Sequence, residues 1–190
     1  TLSKLARRNG DPYRTELLEE AIGCLREALK AHTRAAFPLK WAMAQDNLGN
    51  ALALLGRHMC GPQGYGFIEK AHRAHTAALQ VRTRDDYPMN WAFTQENIGV
   101  NWTHMAEHGS CPDPSGVRLK AESHLRDALM FFDVNKMPLN HAKAHANIGV
   151  LLKNSADDPS CADPVTKRQA ALEHFEIAQE IFSEMKAMHF

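Results

Sequence analysis

The chain has 190 residues, of which 44% are hydrophobic and 23% are charged, so it can bury an apolar core and does not resemble a disordered segment. Lysine plus arginine and aspartate plus glutamate number 22 each, so charge gives no reason to expect nucleic acid or a membrane surface as a partner. No run approaches the roughly 18 apolar residues of a transmembrane helix. Four cysteines are too few for a disulfide framework, which favours the cytoplasm. Because the chain starts at Thr1, an export signal that has been removed stays an alternative.

A segment that starts with proline occurs three times at a spacing of 50 residues. The copies are PLKWAMAQDNLG at 38–49, PMNWAFTQENIG at 88–99 and PLNHAKAHANIG at 138–149. A fixed period without gaps is the signature of a stacked repeat array. Because proline suits the first position of a helix, each copy predicts a helix, which runs to about Gly56, Glu107 or Asn154.

Paired alanines at the same period predict a second helix in each unit. Two alanines seven residues apart, with a larger residue between them, mark a helical face that packs closely on a neighbour. The predicted second helices cover roughly 12–35, 67–86, 115–134 and 165–187. Asp11, Asp113 and Asp163, each followed by proline, are expected to cap them. The Gly- and Pro-rich segment 60–66 is expected to be a loop.

These helices predict a single all-α domain over residues 1–190. It comprises a truncated first unit at 1–36 and three full units at 37–87, 88–137 and 138–190. Residues 1–8 match the end of the first helix one period later, so we expect them to form the last turns of an incomplete helix. The sequence thus suggests a segment of a longer array or a larger protein.

The repeated residues resemble the tetratricopeptide repeat pattern W-x2-L-G-x2-Y followed by A-x3-F. The chain reads Gln45-x2-Leu48-Gly49-x2-Leu52 in its first full unit, and Ala171-x3-Phe175 matches the second part. The resemblance implies a right-handed solenoid of antiparallel helix pairs. The chain departs from the family in two ways. The residue that opens the repeat pattern is Gln or His instead of Trp, and the period is 50 residues where the family has about 34 residues. We expect the surplus to extend the hairpin loop and to lengthen the second helix by more than one turn.

The resemblance further implies a non-catalytic scaffold or adaptor whose concave groove, formed by the first helices, binds a protein or peptide segment. The groove positions carried over by register are Met43, Asp46, Asn47, Asn50, Leu54, Phe93, Glu96, Asn97, Val100, His104, Lys143, Ala146, Asn147, Val150 and Asn154.

The asparagines 47, 97 and 147 recur in every unit. An amide both donates and accepts, so this ladder suits a peptide backbone, but it equally suits contacts that hold the units together. Since Asp46 and Glu96 occupy positions where a cation would be needed to clamp a carboxylate, the sequence favours a neutral or mildly basic ligand.

Two alternatives to a groove-binding module remain open. One is a regulatory or spacer region of a larger effector whose active domain lies elsewhere. For this region as for a groove-binding module, the exposed end repeats could also allow self-association. The other is a metal-responsive module, because His104/His108 and His141/His145 have the i,i+4 spacing of metal ligands. Neither histidine pair has a third ligand nearby in sequence, and no nucleophile or phosphate loop is recognisable. We therefore predict no metal, no cofactor and no enzymatic activity.

Overall fold

The computed structural model of the protein describes residues 12–59 and 61–187, which form seven α-helices and no β-strand. The predicted all-α class is therefore confirmed for this part of the chain. The helices are α1 Pro12–Ala31, α2 Pro38–His58, α3 Gly61–Leu79, α4 Pro88–Glu107, α5 Pro114–Leu129, α6 Pro138–Ala156 and α7 Pro164–Ala187. Within the described ranges, no helix combines the length and apolarity needed to cross a membrane. The prediction for residues 1–8 lies outside the described residues.

Most of the predicted helix starts are confirmed. The helices α2, α4 and α6 begin at the three repeating prolines, where the missing N–H leaves no hydrogen bond unmade. Asp113 Oδ1 accepts a hydrogen bond from the Gly116 backbone N–H at 2.9 Å, and Asp163 Oδ1 accepts one from the Thr166 N–H at 3.1 Å. These two aspartates cap α5 and α7 as the sequence predicts. Asp11 lies outside the described residues.

The predicted loop over residues 60–66 is wrong, because α3 already begins at Gly61. Gly61 has a φ of +71°, a conformation that glycine adopts at little cost and that reverses the chain at once. Gly64 then lies against the carbonyl oxygens of Met59 and Gly56, where a side chain would collide with the backbone. Small residues thus permit a tight turn between α2 and α3 in place of an extended loop.

The predicted lengthening of the second helices is wrong for α1, α3 and α5, whereas α7 reaches Ala187 as predicted. The helices α1, α3 and α5 end at Ala31, Leu79 and Leu129, and turns fill the residues before the next proline. In each connection one side-chain oxygen accepts the backbone N–H three residues later: Thr33 from Ala36, Thr83 from Asp86 and Asp133 from Lys136. Such local hydrogen bonds compete with the helix and end it.

Each helix packs on its sequence neighbours, and α4 also contacts both α2 and α6. A repeated glycine brings the two helices of each full unit together. A Cβ at Gly49 would lie 2.5 Å from the His75 ring, and one at Gly149 would lie 2.7 Å from the Phe175 ring. The large residue between the paired alanines therefore rests directly on the first helix of its unit.

Candidate functional site

An open pocket of about 400 Å³ lies where α2, α4 and α6 face one another. We call it the amide pocket, because four asparagines contribute to its wall. It brings together six of the predicted groove residues. Its lining comprises Asn50, Ala53, Leu54, Arg57, Glu96, Asn97, Val100, Asn101 and Asn147.

Two asparagines of the repeated ladder connect successive units. Asn97 Nδ2 donates to Asp46 Oδ1 at 3.4 Å, and Asn147 Nδ2 donates to Glu96 Oε1 at 3.0 Å. Since Asp46 and Glu96 are one period apart, the same inter-unit bond occurs twice. Each bond uses one of the two amide N–H donors, so these side chains can contact the preceding unit and still face the pocket.

Asn101 is one of the pocket residues that the sequence analysis did not predict. Only 6% of its surface is exposed, and its Nδ2 atom is buried without a hydrogen-bond partner. One period away in either direction stand Ala51 and Leu151, which are buried apolar residues. The fold therefore does not require a polar group at this position, and an unsatisfied buried amide destabilises a protein by about 1–3 kcal/mol. This departure from the repeat was the signal available in the sequence.

Arg57 was also missed, and it is the cation of the amide pocket. It lines two further concavities, one of about 340 Å³ with His104 and Glu107 and one of about 210 Å³ with Arg14. Among the described residues, its guanidinium has no hydrogen-bond or ion-pair partner. A positively charged fork of five N–H donors is thus available to a ligand at the centre of this surface.

The two carboxylates near Arg57 already have partners. Burial raises the pKa of Glu96, although the charge of Lys143 and the hydrogen bond from Asn147 oppose this effect. The hydrogen bond from His104 is the main cause of the lowered pKa of Glu107. Asn154 also donates to Glu107. The predicted residues Lys143, His104 and Asn154 therefore neutralise or satisfy acidic side chains.

Asp46 does not line the amide pocket, although it accepts from Asn97, and only 7% of its surface is exposed. His75 Nδ1 donates to its Oδ1 and Arg82 Nη1 donates to its Oδ2, each at 2.8 Å. Burial alone would raise the pKa of Asp46, but the hydrogen bonds and charges of His75 and Arg82 outweigh that effect and lower it. The carboxylate is thus part of the core.

The other predicted groove residues lie outside the amide pocket as well. Phe93 packs on Phe132, with ring centroids 5.3 Å apart. Met43 and Asn47 are exposed. Their place in a ligand groove stays a prediction.

The histidine pairs considered as metal ligands have other neighbours. His141 Nδ1 donates to the Phe132 carbonyl oxygen at 2.6 Å, and His145 Nδ1 lies 3.0 Å from His174 Nδ1. The residues at equivalent positions in the second full unit, Gln95 and His124, are also hydrogen-bonded to each other. In residues 12–59 and 61–187, no group of three or more His, Cys, Asp or Glu side chains is placed to hold a metal ion.

The chain matches no protein family, no curated protein and no solved structure.

Proposed function

We propose that the chain is a non-catalytic binding module that holds an extended peptide or protein segment in the amide pocket. In this proposal the helix pairs stack as a right-handed, tetratricopeptide-like solenoid with the first helices on its concave side. The 50-residue repeat and the contacts of α4 with α2 and α6 support that arrangement. The observation that carries the proposal is the buried, unpartnered amide of Asn101 in the wall of the pocket.

An extended peptide matches the chemistry of the pocket. Its backbone offers a C=O acceptor and an N–H donor at every residue, and asparagine amides complement both. Ala53, Leu54 and Val100 supply apolar wall for the peptide's side chains. Binding sites combine such an apolar lining with a few polar groups, within volumes of roughly 300–1,000 Å³. The pocket's volume of about 400 Å³ lies in this range and suits a short segment.

The energetics of Asn101 favour a ligand over a structural role. A buried N–H without an acceptor weakens the folded state, whereas a carbonyl oxygen from a bound peptide would satisfy it. Binding would then recover stability that the unoccupied protein lacks. An apolar residue at this position, as at positions 51 and 151, would remove both the cost of the unsatisfied amide and the hydrogen bond to the peptide.

The test is Asn101→Ala, which introduces the residue found at position 51. We expect its free energy of unfolding to rise by about 1 kcal/mol, because the unsatisfied amide is gone. We expect its capture of peptides from a random display library to fall at least about tenfold. The control is Asn135→Ala, an exposed asparagine between α5 and α6, which should change neither quantity.

Higher stability with unchanged peptide capture would remove Asn101 from the site and contradict the proposal. Loss of stability would show that the amide is structural, which also contradicts it. Measuring urea unfolding and peptide capture on the same samples separates these results.

A further inference from the structure

The Arg57 side chain identifies which peptide residue the site would select. Arg57 lines three adjoining concavities, so a peptide segment that lies along this surface would come close to its guanidinium whichever concavity it occupies. Arg14 lines one of the same concavities and likewise has no hydrogen-bond or ion-pair partner among the described residues. The end of the surface formed by α1 and α2 is therefore cationic.

The acidic side chains nearby do not cancel this charge by pairing with it. Glu96 accepts from Asn147, and Lys143 supplies a positive charge beside it. Glu107 accepts from Asn154 and His104. The positive charge of Arg57 contributes to the lowered pKa of Glu107, but the two side chains form no ion pair. The N–H donors of Arg57 thus remain unoccupied while the carboxylates are satisfied.

The sequence favoured a neutral or mildly basic ligand because it counted Asp46 and Glu96 as groove charges, and Glu96 does line the amide pocket. The structure places Asp46 in the core, where Arg82 and His75 donate hydrogen bonds to it. With Asp46 removed from the surface, the charge that lacks a partner there is positive. This charge favours an acidic ligand over the neutral or mildly basic one expected from the sequence.

Building on the function proposed above, we propose that the bound segment carries an aspartate or glutamate whose carboxylate pairs with Arg57, while its adjacent backbone carbonyl accepts from Asn101. Arg57 and Asn101 line the same pocket, so one short segment can reach both. Arginine binds a carboxylate through two parallel N–H···O bonds, which selects this group over a neutral amide of the same shape. The inferred partner is an acidic peptide.

The experiment uses two display libraries of short random peptides that differ at one central position, fixed as glutamate in one and as glutamine in the other. We expect the protein to retain the glutamate library about tenfold better. Arg57→Gln should abolish that preference. Arg73→Gln should keep it, because Arg73 is an exposed arginine of α3 that lies outside these three concavities. Added salt should reduce the preference, since it screens exposed charges.

The outcomes separate this inference from the proposed function. Equal retention of both libraries overturns the acidic preference and leaves the peptide-binding module standing. A preference for glutamate that persists in Arg57→Gln also overturns this inference, because a group other than Arg57 would then bind the glutamate carboxylate. If neither library is retained above the level of an unrelated protein, the proposed function fails and the acidic preference fails with it.

Discussion

The junction between the first and second full units and the junction between the second and third have different chemistry at equivalent positions. Four register positions define each junction. At the first they hold Asp46, His75, Arg82 and Thr94, and at the second they hold Glu96, Leu125, Phe132 and Ala144. The first junction is therefore an ionic cluster, whereas the second is largely apolar.

Arg82 is the centre of the first junction. Only 7% of its surface is exposed, and its Nη1 atom donates to Asp46 at 2.8 Å and to Thr94 Oγ1 at 3.0 Å. Phe132 takes the equivalent place in the second junction, where 1% of its surface is exposed and it packs in a cluster with Ala92, Ala128 and Ala144. The same backbone position thus buries either a charge with its partners or an aromatic ring.

The contrast shows that the repeat determines the direction of a side chain but not its chemical type. Ala42 and Ala78 stand one period before Ala92 and Ala128, and both are fully buried. The space that receives Phe132 therefore has a counterpart around Arg82. Buried ion pairs seldom add stability over apolar packing, but each member depends strongly on its partner. The first junction should be the more sensitive of the two to a single substitution.

The largest effect is expected from Arg82→Leu, which removes the arginine partner and leaves the buried Asp46 carboxylate with only His75 and Asn97 as hydrogen-bond donors. Breaking a buried ion pair in this way costs about 3–5 kcal/mol. Urea unfolding measures the loss. Arg73→Leu, at an exposed position on α3, should stay within about 0.5 kcal/mol of the parent protein. A loss below about 1 kcal/mol for Arg82→Leu would mean that the ionic cluster is not a sensitive junction.

Glycine substitutions test the same contrast within the units. In Gly49→Ala the new Cβ would lie 2.5 Å from His75, which is fully buried and hydrogen-bonded to Asp46 and so cannot retreat. We expect a loss of about 1–3 kcal/mol from overpacking. In Gly149→Ala the ring of Phe175 is half-buried and can move, and alanine gains about 1 kcal/mol of helix propensity. Thermal unfolding should show the larger loss at Gly49, and the reverse order would contradict this reasoning.

The sequence predicted the helices well where a repeated residue has one physical role. The prolines at 38, 88 and 138 and the caps at 113 and 163 acted as expected, because a proline or a capping aspartate works locally. Asp46 was misplaced because its direction depends on His75 and Arg82, which are distant in sequence. The sequence wrongly predicted that the helices continue beyond Ala31, Leu79 and Leu129. In each connection a side-chain oxygen accepts a hydrogen bond from the backbone N–H three residues later, and this local bond outweighs helix propensity.

The candidate site was predictable only in part. The repeat register alone predicted that six residues lie together, and the structure places them in the wall of one pocket: Asn50, Leu54, Glu96, Asn97, Val100 and Asn147. Asn101 was missed because a search for repeated residues overlooks a position where the repeat changes. Comparing residues 51, 101 and 151 would have singled out Asn101, whereas the missing partner of Arg57 becomes visible only in three dimensions.

Acid should weaken the first junction through His72. Burial, with smaller effects from His124, His75, Lys120 and Arg73, lowers the pKa of His72 from 6.5 to about 4. Its ring packs on Trp102 with centroids 4.5 Å apart. Because the unfolded state then binds the proton more tightly, stability that is present above pH 6.5 is lost as the pH falls towards 4.

We expect His72→Gln to reduce the loss of stability between pH 7.5 and pH 5 by about 1 kcal/mol. Thermal unfolding at several pH values measures this difference. His145→Gln serves as the comparison. Burial is the main cause that lowers the pKa of His145 to about 4 as well, but this histidine lies in the third full unit, away from the first junction. An unchanged pH profile in His72→Gln would place the acid sensitivity elsewhere.

The smallest effect is expected when the whole cluster is exchanged for the apolar residues of the other units. The variant carries Asp46→Ala, His75→Leu, Arg82→Phe and Thr94→Ala, as at positions 146, 125, 132 and 144. The new phenylalanine would meet Ala42, Ala78 and the new alanine at 94, which repeats the environment of Phe132. Because a well-packed apolar set usually matches a buried ion cluster, the free energy of unfolding should stay within about 1 kcal/mol of the parent protein. Arg82→Phe alone, in which Asp46 loses its arginine partner, should be less stable than the quadruple variant. A quadruple variant as unstable as that single one would show that the two junctions are not interchangeable.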